Sequence, residues 1–202
     1  MKKRLDVLIF EKGLSASREK ARALILSGNV LVNNFPKTKC GEKFNEDCKI
    51  KIKEKLPYVS RGGTKLIKAL DTFSFDPKGM ICVDIGSSTG GFTDVLLQKG
   101  AEKVYSVDVG TNQLAYSLRQ NERVIVMEKT NAKTLTTDMF KDDLNLAVID
   151  VSFISLSSIL EPVKNILNSK NIIALVKPQF EVGKLVKGFK GVVKNKEHWL
   201  MA

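Results

Sequence analysis

A short apolar run in the middle of the chain ends in an acid and leads directly into a glycine-rich loop: Ile81-Cys-Val-Asp84-Ile-Gly86-Ser-Ser-Thr-Gly90-Gly91-Phe92. A continuously apolar run is typical of a strand that is buried on both faces of a parallel sheet. Glycines let the loop turn tightly and approach a ligand closely. Their spacing differs from the dinucleotide fingerprint, which argues against a pyrophosphate cradle. We therefore predict an α/β fold whose first loop binds a phosphate-free ligand.

Four more apolar runs follow, separated by stretches with helical patterns. They cover Val104–Asp108, Val124–Met127, Leu146–Asp150 and Asn171–Lys177. Strands that alternate with helices indicate a doubly wound parallel sheet with right-handed crossovers. Ligands bind such sheets at the carboxyl ends of the strands. Because four of the five runs end in Asp or Lys, we expect functional side chains to gather at that edge.

Acids beside the glycine loop favour a neutral or cationic nucleoside as the ligand. Asp84 precedes the loop, and Asp108 follows 24 residues later, where nucleotide-binding folds place the acid that takes ribose hydroxyls. S-adenosylmethionine fits, because it carries adenosine, an amino acid and a sulfonium but no phosphate. The alternative is a glycine turn that only packs a helix. The residues predicted to bind the cofactor are Asp84, Gly86, Ser87, Ser88, Thr89, Gly90, Gly91, Phe92, Asp108, Val109, Asn131 and Asp150.

Composition argues against several other chemistries. The chain has 202 residues, with three cysteines (Cys40, Cys48 and Cys82) and one histidine, His198. A single histidine argues against Ser-His-Asp and Cys-His triads and against a His-Cys zinc site, so no metal is expected. The cysteine spacing favours reduced, structural thiols. No apolar stretch reaches the ~20 residues that span a bilayer, and we expect a cytoplasmic protein without a membrane partner.

A small basic domain is predicted over residues 1–57. Residues 1–68 carry 17 basic and 7 acidic side chains, a surplus of +10 out of a total of +11. Leu5, Leu8 and Ile9 have helical spacing, and Ser17 is a candidate N-cap for a helix from Arg18 to about Ser27. Strands are predicted at Val30–Val32 and Cys48–Lys53, with a turn at Asn33-Asn34.

This concentration of charge favours contact with nucleic-acid phosphates, with a merely solvated face as the alternative. The residues predicted to bind RNA are Arg4, Arg18, Lys20, Arg22, Lys49, Lys51, Lys53 and Arg61. A linker and a first helix are predicted over 58–79, because Pro57 and Gly62-Gly63 interrupt regular structure and a helical pattern starts near Lys65. Residues 80–202 would form the larger domain.

Lys177, at the end of the fifth apolar run, is a candidate proton handler. A lysine in this position is costly to bury unless it is paired or neutral. Asp150 and Lys65 are its candidate neighbours, and a lone structural lysine is the alternative. Asp150-Val-Ser-Phe153 lacks the prolines that methyltransferases of exocyclic amines usually place there, which argues against an amine target.

Taken in order, these motifs resemble the haemolysin-A-like (TlyA-type) RNA methyltransferases, relatives of the FtsJ class, preceded by an S4-type RNA-binding domain. The matching stretches are Arg4–Asp6, Ser17–Leu24, Gly28–Asn33, Ser60–Leu66, Asp84–Phe92, Asp108–Gly110, Asp150–Leu156 and Lys177–Glu181. The resemblance implies a Rossmann-like class I methyltransferase sheet. It also implies S-adenosylmethionine-dependent methylation of a ribose 2′-hydroxyl in ribosomal RNA, with ribosomal RNA or ribosomal subunits as partners.

The family's catalytic set of Lys, Asp, Lys and Glu carries over by motif position to Lys65, Asp150 and Lys177. The Glu has no counterpart, since Glu181 lies in a different motif and Glu197 in a different element. The family's chain continues through another helix and two strands, so we expect the last strands of the sheet to be missing after Ala202. A glycine-spaced basic loop is either a second RNA contact or solvated, and it contains Lys184, Lys187, Lys190, Lys194 and Lys196.

Two alternatives to the enzyme remain open. One is a catalytically weak or silent RNA-binding protein of the same fold, which lacks the closing segment. The other is a membrane-active haemolysin, which the family's historical name implies. The sequence offers that second alternative neither a spanning segment nor an uninterrupted amphipathic one.

Overall fold

The computed structural model describes residues 2–53, 57–182, 192–193 and 196. The chain divides into two compact units, Met1–Leu56 and Pro57–Ala202. The second unit includes the segment 58–79, so this stretch is part of the larger unit.

Over residues 2–53, the first unit shows two helices and two small antiparallel sheets. The helices are α1 (Leu5–Glu11) and α2 (Arg18–Leu26). The strands are β1 (Lys2–Arg4), β2 (Val30–Val32), β3 (Phe35–Lys37), β4 (Lys43–Asn45) and β5 (Ile50–Ile52). β1 pairs with β4, and the other three form a sheet in the order β3-β2-β5. Both helices and β2 contribute to one buried apolar cluster.

Local signals in the sequence set these elements. The Ser17 hydroxyl accepts a hydrogen bond from the Lys20 amide at 3.1 Å, which confirms the predicted cap of α2. Asn33 and Asn34 have φ of 50° and 69°, the left-handed conformation that a two-residue hairpin turn between β2 and β3 requires. The strand predicted over Cys48–Lys53 is shorter, at Ile50–Ile52. β1, β3 and β4 were not predicted, because their residues (Lys-Lys-Arg, Phe-Pro-Lys and Lys-Phe-Asn) show no alternation of apolar, β-branched side chains.

The second unit is built on the predicted five-stranded parallel sheet. Its strands are β6 (Ile81–Ile85), β7 (Lys103–Val107), β8 (Val124–Met127), β9 (Leu144–Ile149) and β10 (Leu167–Ala174). Its helices are α3 (Gly63–Phe73), α4 (Gly91–Gln98), α5 (Tyr116–Arg119), α6 (Leu160–Asn165) and α7 (Pro178–Glu181). Short 3-10 turns lie at Ala132–Thr134, Thr137–Met139 and Leu156–Ser158.

The strand order of the sheet, β10-β9-β6-β7-β8, determines where a ligand can bind. The chain moves outward from β6 through β7 to β8, then returns to the other side of β6 with β9. Loops at the carboxyl ends of β6 and β9 therefore diverge, and this switch point is where such sheets bind ligands. Two apolar clusters cover the two faces of the sheet, as the continuous apolar runs predict.

The predicted end of the fifth strand was wrong. Lys177 does not end the fifth strand, because pairing of β10 with β9 stops at Ala174 opposite Ile149. Lys177 instead precedes α7 in extended conformation, as expected for a residue before a proline, and Pro178 begins that helix. The helix predicted to begin near Lys65 begins at Gly63, so the glycine pair that was expected to interrupt regular structure forms the start of α3.

Several expectations concern residues that the structure does not describe or only partly describes. Lys184, Lys187, Lys190 and Lys194 lie outside the described residues, as does His198. Lys196 is described and is exposed. The three cysteines are free, and Cys48 and Cys82 are buried. Within the described ranges, no helix has the length and apolarity to cross a bilayer, and no acid, cysteine or histidine cluster could hold a metal ion.

Candidate active site

Asp150 lies between two lysines at the carboxyl edge of the sheet. It directly follows β9, and its Oδ2 accepts a hydrogen bond from Lys65 Nζ at 2.9 Å. Lys177 Nζ lies 2.6 Å from the other carboxylate oxygen, Oδ1. This second contact is an ion pair outside hydrogen-bond geometry. The structure thus brings together the three residues that the sequence nominated as catalytic.

The two lysines fix the charge of Asp150. Burial opposes ionisation of this carboxyl, but the contacts with Lys177 and Lys65 outweigh it and hold the pKa of Asp150 below its ordinary value. The carboxylate is therefore negative at neutral pH, and its charge keeps the amino groups of Lys65 and Lys177 next to each other. Side-chain exposure is 17% for Asp150 and for Lys177 but 47% for Lys65, so Lys177 is the more shielded of the two lysines.

Lys177 has a second polar contact on the segment that follows β9. Its Nζ donates to the Ser152 hydroxyl at 2.9 Å. Lys177 Nζ therefore has a hydrogen bond to Ser152 and an ion pair with Asp150, and at least one of its N–H directions is left for a further partner. Ser152 was not singled out from the sequence, since a serine in a loop carries no distinctive signal.

The glycine-rich loop turns beneath this cluster through residues with left-handed backbone. Gly86 has φ of 82°, and Ser88 adopts the same region with φ of 48°. A Cβ atom at Gly86 would lie 3.1 Å from the Asp150 carbonyl oxygen, so only glycine lets the loop pass this close to the end of β9. This close approach explains how one loop can border both the lysine cluster and the neighbouring cleft.

Asp108 holds the loop from the next strand. Its Oδ2 accepts the Ser88 amide at 2.8 Å and its Oδ1 accepts the Gly110 amide at 2.7 Å. Each oxygen keeps a lone pair, and Asp108 lines a cleft of about 460 Å³. That volume lies within the roughly 300–1,000 Å³ of typical small-molecule sites.

The cleft joins the carboxyl ends of β6, β7 and β9. It is lined by Ile85, Gly86, Ser88, Val107, Asp108, Val109, Gln113, Thr130, Asn131, Ala132 and Asp150–Ile154. A second hollow beside it is lined by Ser60, Gly62, Lys65, Asp84, Gly86–Thr89, Gly91, Phe92, Asp150, Ser152 and Lys177. Asp150, Ser152 and the glycine loop border both, so the lysine cluster lies next to the cleft.

Asp84 is a fully buried acid with a raised pKa. It is 1% exposed, and its Oδ2 accepts from the Thr93 amide and hydroxyl at 2.9 and 2.7 Å. Its Oδ1 has no hydrogen-bond partner among the described residues. Burial raises the pKa of Asp84 to about 7, against the lowering effect of Thr93, and the carboxylates of Asp150 and Asp108 add to the rise.

Hydrogen bonds and an aromatic contact join α7 to the segment after β9. Glu181 Oε1 accepts the Leu156 amide at 2.9 Å, and the Ser155 hydroxyl donates to Oε2. The rings of Phe180 and Phe153 lie with centroids 5.2 Å apart. Glu181, which the sequence placed outside the catalytic set, therefore fastens the helix that begins next to Lys177.

Two predicted cofactor residues, Gly90 and Phe92, have packing roles. Gly90 precedes α4 with φ of 91°, and a Cβ there would lie 2.7 Å from Leu114 Cδ1. The Phe92 ring is 6% exposed and belongs to the apolar cluster on one face of the sheet. Phe92 also borders the second hollow, and all the predicted cofactor residues except Gly90 border the cleft or that hollow.

The predicted RNA-binding residues differ in whether their charged groups are already bound to other groups of the protein. Lys20, Arg22, Lys49, Lys51 and Arg61 are exposed, and no ion pair is found for them within the described part of the chain. Lys53 donates to the Gly28 carbonyl at 2.8 Å. Arg4 and Arg18 are both bound to Asp6, a fully buried acid for which the sequence indicated no role of its own.

This fold and site define a methyltransferase with an added RNA-binding module. The model of the FtsJ-like methyltransferase family matches residues 58–198, and the S4 domain model matches residues 3–39. The chain belongs to the FtsJ-like methyltransferase family and carries an S4 domain.

Similar proteins agree with this assignment over nearly the whole chain. A candidate rRNA methyltransferase of Bacillus subtilis, YqxC, is 51% identical over 197 residues, which are 96% of this chain and 70% of the relative. The 16S/23S rRNA (cytidine-2′-O)-methyltransferase TlyA of Mycobacterium tuberculosis is 42% identical, covering 94% of this chain and 72% of the relative. A solved structure of a Streptococcus thermophilus protein described as a candidate hemolysin superposes with a TM-score of 0.70 at 46% identity, covering 98% of this chain and 73% of that one.

Proposed function

We propose that this protein methylates a ribose 2′-hydroxyl of ribosomal RNA, with S-adenosylmethionine as the methyl donor. The observation that carries the proposal is Asp150, held between Lys65 and Lys177 at the border of a cleft of cofactor size. The M. tuberculosis relative is named for this chemistry on 16S and 23S rRNA, and the lysine cluster supplies the groups that a ribose hydroxyl needs.

The residues around the cleft fit a cationic nucleoside. Asp108 offers free lone pairs for ribose hydroxyls, Val109 and Asn131 border the same cleft, and the buried Asp84 has an oxygen without a partner among the described residues. Acids at Asp108 and Asp150 on the border of the cleft suit a ligand that carries positive charge and no phosphate. When bound, S-adenosylmethionine would supply a methyl group already activated by a sulfonium. The chain's task is then to position and prepare the hydroxyl.

Lys177 is the residue proposed to handle the hydroxyl proton. Its Nζ donates to Ser152 and forms an ion pair with Asp150, so at least one direction around Nζ is open to a ribose hydroxyl. A neutral amine would present a lone pair there and accept the proton, whereas an ammonium would present a third N–H to the oxygen. In either state Asp150 fixes the direction, which is a positioning contribution to the rate. Lys65 holds the other carboxylate oxygen and keeps Asp150 in place.

The substrate class rests on the first unit. An S4 domain with exposed Lys20, Arg22, Lys49 and Lys51 provides a cationic surface for RNA phosphates. Arg61 lies in the larger unit, two residues before α3, and adds one exposed charge near Lys65 in sequence.

The proposal is tested with purified protein, labelled S-adenosylmethionine and in vitro transcribed 16S and 23S rRNA, alone and assembled into subunits. We expect label in ribosomal RNA, recovered after nuclease digestion as a 2′-O-methylnucleoside, and no label with Lys177→Ala. Label on a base would overturn the assigned chemistry. RNA binding and cofactor binding without any transfer would favour the catalytically silent RNA-binding protein instead.

A further inference from the structure

Among the described residues of the first unit, Asp6 at the start of α1 is a fully buried charge. Its side chain is 0% exposed, in an apolar cluster that includes Leu5, Leu8 and Ile9. A carboxylate is almost never buried completely unless it is paired. Burial opposes its ionisation, but contacts with Arg4 and Arg18 outweigh this and hold the pKa of Asp6 below its ordinary value.

Asp6 binds both arginines through one edge of each guanidinium. Arg4 donates from Nε to Oδ1 at 3.0 Å and from Nη2 to Oδ2 at 3.1 Å. Arg18 approaches Oδ2 with Nε at 3.1 Å and Nη2 at 3.1 Å. The Val7 amide completes the site with a bond to Oδ1 at 3.1 Å. All lone-pair directions of the carboxylate are thus directed at groups of the same unit.

The arginines keep their outer edges accessible. Their side chains are 44% and 52% exposed, whereas the acid between them is fully buried. A guanidinium that binds a carboxylate through Nε and one terminal nitrogen still presents N–H donors on its opposite edge. One buried negative charge therefore holds two partly exposed positive charges side by side, with a net charge of +1.

We infer that Asp6 is a positioning residue for RNA binding, which holds Arg4 and Arg18 together as a preformed clamp for RNA phosphate oxygens. Without it, the two like charges would separate, and each long side chain would have to be ordered when RNA binds. The inference rests on the proposed function, because it needs the S4 domain to contact the RNA substrate. It makes a prediction opposite to simple electrostatics, since removal of a negative charge would ordinarily strengthen binding to a polyanion.

The test compares RNA affinity, its salt dependence and turnover for the full chain and Asp6→Asn, with in vitro transcribed 23S rRNA as the probe. We expect Asp6→Asn to raise the Kd for RNA by roughly five- to fiftyfold and to reduce the slope of log Kd against log salt by about one to two. KM for RNA should rise in parallel, while kcat and the Kd for S-adenosylmethionine stay unchanged. Glu19→Gln is the matched control, because Glu19 is an exposed acid in the first turn of α2, and its loss should leave affinity equal or slightly tighter.

A double-mutant cycle separates positioning from a purely structural role. In an Arg4→Ala, Arg18→Ala background, Asp6→Asn should have less than about a twofold further effect on the Kd for RNA. Arg4→Lys, Arg18→Lys keeps both charges and a paired Asp6 but removes the two-pronged geometry, so it should weaken binding even if Asp6→Asn fails to fold. Unchanged or tighter RNA binding by folded Asp6→Asn, or full binding by the lysine pair, overturns the inference. If the parent chain itself does not bind rRNA, the proposed function fails first.

Discussion

Lys177 Nζ lies 2.6 Å from Asp150 Oδ1, although the two residues are 27 positions apart and belong to segments that follow different strands. Adjacent parallel strands β9 and β10 bring the segments together at one edge of the sheet. A contact between two partly buried, oppositely charged groups at a ligand-binding edge is a mark of a functional site.

Replacing Lys177 by Ala should reduce kcat for methyl transfer by about 10²- to 10⁴-fold, the usual contribution of a positioned proton-transfer group. The Kd for S-adenosylmethionine should stay nearly unchanged, because the cofactor residues lie on other elements. Single-turnover transfer and calorimetric cofactor binding measure the two effects separately. Lys164→Ala is the control, since Lys164 is an exposed lysine in the last turn of α6. A Lys177→Ala protein that turns over like the parent contradicts the assigned role.

Asp150→Asn should cause a loss of similar size, because the neutral amide no longer fixes both amino groups. Residues that act as one unit are strongly non-additive. The variant Asp150→Asn, Lys177→Ala should therefore be little worse than either single variant. If the fold-loss in kcat of the double variant equals the product of the two single losses, the two residues act independently.

The stability of the protein should depend on pH through Asp84. The pKa of this carboxyl is about 7 in the folded protein, above the ordinary 3.8 of an unfolded chain. The neutral form therefore favours folding, and its contribution is complete below pH 3.8 and lost as pH rises to about 7. The full difference is on the order of 4 kcal/mol. In urea titrations, the free energy of unfolding of Asp84→Asn minus that of the parent should increase as pH rises from 4 to 7. Above pH 7 this difference should stay constant. A difference that does not change with pH refutes this charge state.

Gly90 is required by both its backbone and its neighbours. A side chain there meets left-handed strain and also the side chains of Leu118 and Leu114. Gly90→Ala should lower the free energy of unfolding by about 2–4 kcal/mol. Gly79→Ala is the matched control, because Gly79 has φ of 70° and a Cβ added there would meet nothing within 4 Å, so it should cost only about 1 kcal/mol. Equal losses in the two variants would show that the leucine contacts are unimportant.

The hydrogen bonds that Glu181 accepts should affect catalysis through Lys177. Glu181→Ala removes both bonds to Ser155 and Leu156, so the start of α7 is less firmly held and kcat should fall by roughly tenfold. Glu181→Gln keeps an acceptor for the Leu156 amide and should recover most of the rate. The measurement is kcat with saturating RNA, with melting temperature as a check on folding. If KM for RNA rises while kcat stays at the parent value, Glu181 acts in RNA binding instead.

The sequence predicted the parallel sheet well because its signal is local: five apolar runs, each too continuous for an exposed strand. It also located Lys65, Asp150 and Lys177, but through motif resemblance more than through chemistry. The end of the fifth strand was wrong because Leu175 and Val176 are as apolar as the strand before them, and only Pro178 marks the change.

Other features depend on contacts distant in sequence. Nothing in the Arg4-Leu-Asp6 stretch shows that Asp6 is buried or that Arg18 will meet it. Glu181 looks like an ordinary acid until α7 brings it to Ser155. The roles of Gly90 and Phe92 in packing were likewise hidden, because a glycine or an aromatic in a loop indicates ligand binding and helix packing equally.

The most direct test of the central claim is a map of ribose methylation on ribosomal RNA from cells with and without this protein, read by mass spectrometry of defined rRNA fragments. The account predicts one or a few 2′-O-methylated nucleotides that vanish without the protein, return with the parent chain and do not return with Lys177→Ala. An identical ribose methylation map in the two strains, or restoration of the lost methyl groups by Lys177→Ala, would contradict it.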